Sequence, residues 1–477
     1  MTTLVFVHGW SVTSTSTYGQ MPQQLQQQAA VAGLALTLAD IWLSEYVSFD
    51  DAVTMPDLVR GFDHALRDLH LLDASFACIT HSTGGPVVRE WLRAQRDKPA
   101  VYSRIRLSHL VMLAPANYGS ALAQLGKGVF GRLKSWFSGV APGQRILDWL
   151  ELGSAASLSL NLDYIHSDDP LSHGQFQFVL IGDRPDRALY DHLNSYTGED
   201  GSDGVVRIAA ANLNARHAVL SPPGAGDSDA LMLNVSRGPR CAFKLIAGAS
   251  HSGDAHGIMA NAAADTVQAI LRCLATRDAT SYTALCDAFD AENAARDANK
   301  VELEPAGPFA PRVHIHDPRS MLIVRLTDEA GEPLTGAGFL LTAGAQASAD
   351  LMPEGFMLDR QGNSKQPATV SLFLDYSVLA GDARVADPRN SRNTLRPALV
   401  SHAPYGASVQ PIDLTGLVHH AIARSNPGDN LFTVFGAHQT TVLDVVLSRK
   451  IHEGVFRLSQ TLSPQDFGKP VPGPVIP

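Results

Sequence analysis

At 477 residues the chain is longer than one ordinary hydrophobic core organises, so two domains are expected. Apolar residues make up 45% of it and charged residues 18%, the balance of a folded globular protein. The formal net charge is −10 with no block of like charge, which argues against a nucleic-acid partner, because phosphate binding needs concentrated Lys and Arg.

The chain starts with Met1-Thr2-Thr3-Leu4-Val5-Phe6-Val7 and runs straight into a strand, without a basic region followed by an apolar one. That pattern predicts a cytoplasmic product, any export of which needs a signal-independent route. No apolar run reaches membrane-spanning length. Strand and helix then alternate over roughly the first 275 residues, the order that builds a parallel sheet covered on both faces. Strands are expected at 4–7, 34–43, 75–80, 107–113, 176–181 and 242–247, with helices at 18–33, 56–72 and 86–95. In the second helix Leu58, Phe62, Leu66 and Leu69 recur at helical spacing, and in the third Val87, Val88, Trp91 and Leu92 face the core. The four cysteines are far apart with no CxxC pair, and Cys78 within an apolar strand reads as a buried free thiol.

An insertion spans about 119–172. Leu125, Val129, Phe130, Leu133, Trp136 and Phe137 alternate there with Lys127, Arg132 and Lys134, followed by Trp149 and Leu150. Two readings stand: a helix packed on the sheet, or a mobile lid whose apolar face covers the site and opens on an apolar substrate. A polar helix then leads to a Pro/Gly-broken linker at 301–311. Beyond it, strand-like runs at 321–326, 338–341, 370–376 and 440–448 predict a β-rich, sandwich-like domain over 312–477, with a Pro-rich tail from Pro464. The catalytic domain is accordingly placed at 1–300.

The chemistry concentrates at the third strand. Thr80-His81-Ser82-Thr83-Gly84-Gly85 lies between a strand and a helix, where a nucleophile elbow belongs. Such an elbow needs Ser on a tight turn in strained backbone geometry, with small residues beside it so that strand and helix approach closely. Gly84 supplies one small residue, while Thr80 occupies the place of the usual first glycine. An oxyanion hole needs the amide after the nucleophile, here Thr83, and one from the loop after the first strand. In Val7-His8-Gly9-Trp10-Ser11 that second donor is Trp10 ahead of Ser11, and His8 reads as a holder of the loop.

The acid and base should follow in the order Ser, Asp/Glu, His. Asp203, in Ser-Asp-Gly-Val-Val, stands against an apolar pair that anchors it near the sheet; Asp183, after Val179-Leu180-Ile181-Gly182, is the alternative acid. His251 ends the last strand of the alternating region and is preferred as base on chain position, with His256 competing. Ser82, Asp203 and His251 then form the expected nucleophile, acid and base of an acyl-transfer triad.

Together, Val7-His8-Gly9, Thr80-His81-Ser82-Thr83-Gly84-Gly85, Ala114-Pro115-Ala116-Asn117-Tyr118-Gly119-Ser120 and Ser202-Asp203-Gly204-Val205-Val206 resemble bacterial lipases and esterases of the α/β-hydrolase superfamily. The resemblance covers about 1–275. It implies a doubly wound, mostly parallel sheet, hydrolysis of carboxylic esters, a lipid or other apolar ester substrate with transient contact at a membrane surface, and the triad roles of Ser82, Asp203 and His251. Signal-less lipases with an added domain are also similar to antibacterial phospholipase effectors exported by contractile secretion machinery. Thioester or amide hydrolysis on the same fold is the catalytic alternative, and a non-catalytic binding protein the alternative of another class. No cofactor or metal is expected: Asp254 beside His251 is one carboxylate where Ca²⁺ takes six to eight oxygens. His314-Ile315-His316-Asp317 and His419-His420 lack a third ligand nearby.

Overall fold

A computed structural model describes the chain apart from residues 1, 9–17, 49, 124–142, 185–198, 224–229, 253–255, 261, 307–308, 388–393, 401, 411–417, 421, 427 and 452–477. The alternating region contains β1 (Thr2–His8), β2 (Leu36–Trp42), β3 (Phe76–His81), β4 (Leu107–Leu113), β5 (Phe176–Gly182), β6 (Arg216–Ser221), β7 (Ala230–Arg237) and β8 (Ala242–Ile246). Six of these form one sheet in the order β2-β1-β3-β4-β5-β8, and every adjacent pair is parallel. The strand order reverses at β1, because the first crossover runs one way and the later ones return over it. Helices Met21–Val31 and Ala264–Leu274 pack together, as do Met55–Asp68 and Gly84–Arg96. With both faces covered, Leu4, Val5, Phe6 and Val7 are all buried, which is why β1 reads as a continuous apolar run instead of an alternating one.

The free edge of β8 is closed by a side chain. Asn293, on the helix Ala279–Ala298, accepts from the Leu245 amide at 2.9 Å and donates to the Phe243 carbonyl at 2.9 Å. One amide side chain thus takes the place of a neighbouring strand at this point of the edge.

Only part of the insertion lies among the described residues. Helices Gln144–Leu150 and Ala155–His166 are packed elements, with Ile146, Leu147, Trp149, Leu150, Leu158 and Leu160 buried. The aromatic and basic stretch from Leu125 to Phe137, on which the lid reading rested, falls outside the described residues.

The remaining strands are β9 (Val301–Ala306), β10 (Phe309–Ile315), β11 (Arg319–Asp328), β12 (Gly338–Ala343), β13 (Met357–Gly362), β14 (Thr369–Asp375), β15 (Val385–Ala386), β16 (Leu395–Arg396), β17 (Tyr405–Gln410), β18 (Val418–His420), β19 (Ala423–Ser425), β20 (Thr440–Leu447) and β21 (Arg449–Ile451). The segment 301–315, partly read as linker, contains the antiparallel pair β9–β10. The main β-rich element is a nine-stranded mixed sheet, β12-β17-β19-β7-β6-β20-β11-β14-β13. Its centre holds β6 and β7, which come from the region between β5 and β8, so the sheet draws on both sides of residue 300.

One face of this sheet builds a core of its own. Phe339, Leu341 and Val409 from one half share a buried cluster with Leu322, Val324, Leu374 and Val445 from the other. The alternate residues of the second half, Met321, Ile323, Phe373 and Val442, point the opposite way and join the hydrolase core. Period-two alternation therefore serves two cores at once, and the Met321-Leu322-Ile323-Val324 run has no polar face because neither face meets water.

Candidate active site

Ser82 follows the last residue of β3 and precedes the helix Gly84–Arg96. Its φ is +53°, in the left-handed region that a non-glycine residue enters at a cost of order 1–3 kcal/mol. Two backbone hydrogen bonds hold the strained turn. The Ser82 amide donates to the Leu113 carbonyl of β4 at 3.0 Å, and the Ser82 carbonyl accepts from the Gly85 amide at 3.3 Å, opening the helix. The turn leaves Ser82 partly exposed while its neighbours from Thr83 to Glu90 are buried.

The close approach falls at Gly85, one position later than expected. A Cβ there would lie 2.9 Å from Pro115 Cβ and 3.3 Å from Met112 Cγ, whereas one on Gly84 would meet Thr80 Cβ at an ordinary 3.4 Å. Thr80 is accommodated at the elbow's first position because the strand and helix are not at their closest there: even a Cβ on Gly84 would make only ordinary contact with it.

Asp203 and His251 meet 48 residues apart in sequence. His251 Nδ1 lies 2.8 Å from Asp203 Oδ2, with side-chain exposures of 4% and 0%. The other carboxylate oxygen, Oδ1, accepts from the Val205 and Val206 amides at 3.0 and 2.8 Å. The backbone repeats the link, the His251 amide donating to the Asp203 carbonyl at 3.0 Å. A carboxylate only accepts, so the hydrogen shared between the two lies on Nδ1 of His251, and Nε2 is the ring nitrogen turned away from Asp203.

His81, beside Ser82, contacts His251. Its Nε2 is 2.9 Å from the His251 carbonyl, and the two rings are 4.6 Å apart. Burial, reinforced by the neighbouring His251, pushes the His81 imidazole down to about 3, so the ring is neutral. Since the carbonyl can only accept, Nε2 of His81 is the protonated nitrogen.

The other sequence candidates are placed as follows. Asp183 is committed elsewhere: it accepts from Arg296 Nε and, at 2.8 Å, from the Gly248 amide. The His256 side chain is exposed, and its carbonyl accepts from the Ser250 amide at 2.9 Å. His8 is buried, stacked on Trp42 with ring centroids 5.1 Å apart and 3.2 Å from Asp40 Oδ1, which ties the end of β1 to β2. Thr83 heads the helix that follows Ser82, where helix-start amides and the helix dipole favour negative charge. Trp10, Ser11 and Asp254 lie outside the described residues. His316 pairs with Glu302 at 2.8 Å, and His420 stands 3.9 Å from Asp328. Among the described residues no group of three His, Cys, Asp or Glu side chains comes together as metal ligands.

The turn after β4 braces both halves of the site. Asn117 accepts from buried Arg89 at 3.0 Å and donates to the Ala211 carbonyl at 2.7 Å, while Asn161 donates to the Asn117 carbonyl at 2.7 Å. Ser120 Oγ donates to the Val205 carbonyl at 2.6 Å, inside the loop that carries Asp203. Sequence reading quoted this turn without assigning it a task. The available signal was Asn117 and Ser120 set among Ala, Pro, Tyr and Gly directly after an apolar strand.

No protein-family model and no curated protein matches the sequence. Among solved structures, the phospholipase PlaB from Legionella pneumophila superposes with a TM-score of 0.85 and 37% identity over 97% of both chains. PlaB in complex with thio-NAD gives 0.83 and 36%, again over 97% of both. The mature form of the Bacillus licheniformis lipase BlEst2 is far more distant, with a TM-score of 0.33 and 18% identity over 44% of this chain and 79% of that one. Identity at that level along almost the whole length places this chain in the same family as PlaB, a lipase- and phospholipase-like branch of the α/β-hydrolases.

Proposed function

We propose that the chain is a serine hydrolase that cleaves carboxylic ester bonds of phospholipids, with Ser82 as nucleophile, His251 as general base and Asp203 as its acid partner. The observation that carries this reading is the buried 2.8 Å contact between His251 and Asp203, held through His81 beside a serine at φ +53°. That the relative at 37% identity is a phospholipase supports a lipid ester as substrate.

A neutral serine hydroxyl is a weak nucleophile. In the proposed cycle Ser82 Oγ attacks the ester carbonyl carbon as His251 Nε2 takes its proton. Asp203 holds the tautomer and stabilises the imidazolium formed. The Thr83 amide, at the helix start, faces the oxyanion, a contact worth about 3–4 kcal/mol in comparable sites. The carbon–oxygen bond to the leaving alcohol then breaks, and Nε2 returns the proton to that oxygen. Water, deprotonated by the same nitrogen, cleaves the acyl-enzyme, and the proton passes back to Ser82.

Purified protein and Ser82→Ala are to be compared on p-nitrophenyl esters of rising chain length and on phosphatidylcholine and phosphatidylglycerol vesicles. A fluorophosphonate probe should label the wild type alone, and fatty acid release should vanish in the variant, with loss on the order of 10⁴-fold or more. Equal activity of the two proteins on every substrate removes the triad assignment. Activity confined to soluble short esters removes the phospholipid assignment and leaves an esterase.

A further inference from the structure

Asp203 lies in a small closed loop. Ser202 and Arg207 pair across its neck as an antiparallel bridge, and the Ile208 amide donates to the Gly201 carbonyl at 2.9 Å. Inside, the Asp203 amide donates to the Val206 carbonyl at 3.2 Å and the Gly204 amide to Ser202 Oγ at 3.1 Å. The neck is gripped from outside. Arg207 is 1% exposed and donates through Nε and Nη2 to the two oxygens of Glu199, at 2.9 Å each. Nη2 also donates to Asp359, and the guanidinium lies 4.2 Å from the centroid of the Phe373 ring. Asp359 and Phe373 are directly opposite each other in the β13–β14 ladder. One cross-strand pair of the nine-stranded sheet therefore supplies both the carboxylate and the aromatic face that hold Arg207. Gly201, at φ +83°, rests on the same surface: a Cβ there would lie 2.4 Å from Arg319 Cγ on β11.

From this geometry we infer that Arg207 is a positioning residue for the catalytic acid, and that Asp359 and Phe373 extend the catalytic apparatus into the C-terminal sheet. The inference rests on the reading of Asp203 as the acid. A guanidinium fork fixes two planes at once, which an ammonium cannot. Stripped of Asp359 it keeps one carboxylate, Glu199, four residues before Asp203 on the same loop, and the face of Phe373. The neck then loses its ionic hold on the C-terminal sheet and keeps only the less directional packing on Phe373 and Arg319, so the distance of the carboxylate from His251 is less sharply set.

The test uses the full-length chain with p-nitrophenyl butyrate as a soluble probe, comparing wild type, Asp359→Asn, Arg207→Lys, Asp203→Asn and the double variant Asp203→Asn/Asp359→Asn. Folded fraction is measured by circular dichroism at the assay temperature, and the mild Asp359→Asn change guards against the larger risk to folding at Arg207. Asp359→Asn is expected to lower kcat about tenfold with KM within about twofold, and to move the acid limb of kcat/KM to lower pH, because the imidazolium is less well stabilised. A merely structural role scales the amplitude with folded fraction and leaves the limb in place. In the Asp203→Asn background the further change should have no effect on kcat, since the group it acts through is gone. An unchanged kcat in Asp359→Asn, an unmoved acid limb, or an equal loss in both backgrounds overturns the inference. If Asp203→Asn alone leaves kcat intact, the acid assignment itself fails, and the positioning role falls with it.

Discussion

The neutral imidazole beside Ser82 makes a measurable demand on stability. His81 is buried against His251, and its ionisation is pushed from 6.5 down to about 3, first by desolvation and then by the neighbouring His251 and His8 rings. The unfolded chain takes up a proton at the ordinary value and the folded chain does not. The stability that depends on a neutral His81 is thus complete above 6.5 and is lost as pH falls toward 3. Each pH unit in that window costs about 1.4 kcal/mol, so at about pH 5 the loss reaches roughly 2 kcal/mol from this one group. His81→Gln removes the titration and retains an amide able to donate to the His251 carbonyl. Urea unfolding of both proteins at about pH 7.5 and about pH 5 gives four free energies by linear extrapolation. Carboxylates contribute equally to both proteins and cancel in the difference of differences. The wild type should lose about 2 kcal/mol more than the variant on acidification. Equal losses would refute the argument and mean that His81 takes up a proton in the folded state as easily as in the unfolded one.

Two further perturbations separate packing from chemistry at the elbow. Gly85→Ala drives a Cβ to within 2.9 Å of Pro115 Cβ, a ring that cannot swing away, and should destabilise by about 1–3 kcal/mol in urea unfolding. Gly84→Ala meets only contacts of 3.4 Å and beyond and gains helix propensity, so it should stay within about 1 kcal/mol of wild type; the opposite ranking would show the close approach misassigned. Asn117→Ala deletes one of the two acceptors of Arg89 Nη1, Asn161 remaining, and the donor to the Ala211 carbonyl, both buried, and should cost about 2–3 kcal/mol, whereas a loss under about 1 kcal/mol would mean that water replaces the amide.

What could be read from the sequence at the site was whatever is fixed within a few residues. Ser82 was legible because a strand, one serine and a helix follow one another without a gap, and the strain at φ +53° is the local consequence of that junction. Asp203 was legible for a related reason. Its oxygen is held by the amides of Val205 and Val206, the same apolar pair whose burial singled it out over the other acids nearby. Choosing His251 over His256 rested on chain position, and what separates them is a long-range contact: one ring meets Asp203 and the other side chain is exposed. Arg207 gave no signal at all. Its partner Asp359 is 152 residues away, and an arginine after two valines looks like any surface cation.

The same distinction governs the fold. The segments of β6 and β7 have strand character, with Ala218 and Leu220 inward and Val219 less so, but no local pattern says which sheet a strand will join. They pair with each other and then leave the hydrolase sheet: β6 lies parallel to β20, and β7 lies parallel to β19. Without them the nine-stranded sheet would split into β12-β17-β19 and β20-β11-β14-β13, each with a new unpaired edge. The link continues through side chains, since Thr440 donates to the Ala209 carbonyl at 2.7 Å and Asn212 to the His438 carbonyl at 2.8 Å. Ala209 and Asn212 lie just beyond Arg207, on the short connection from the acid loop to β6. The chain thus threads from Asp203 directly into the centre of the second sheet, and any motion that separates that sheet from the hydrolase core must pull on the loop that holds this carboxylate.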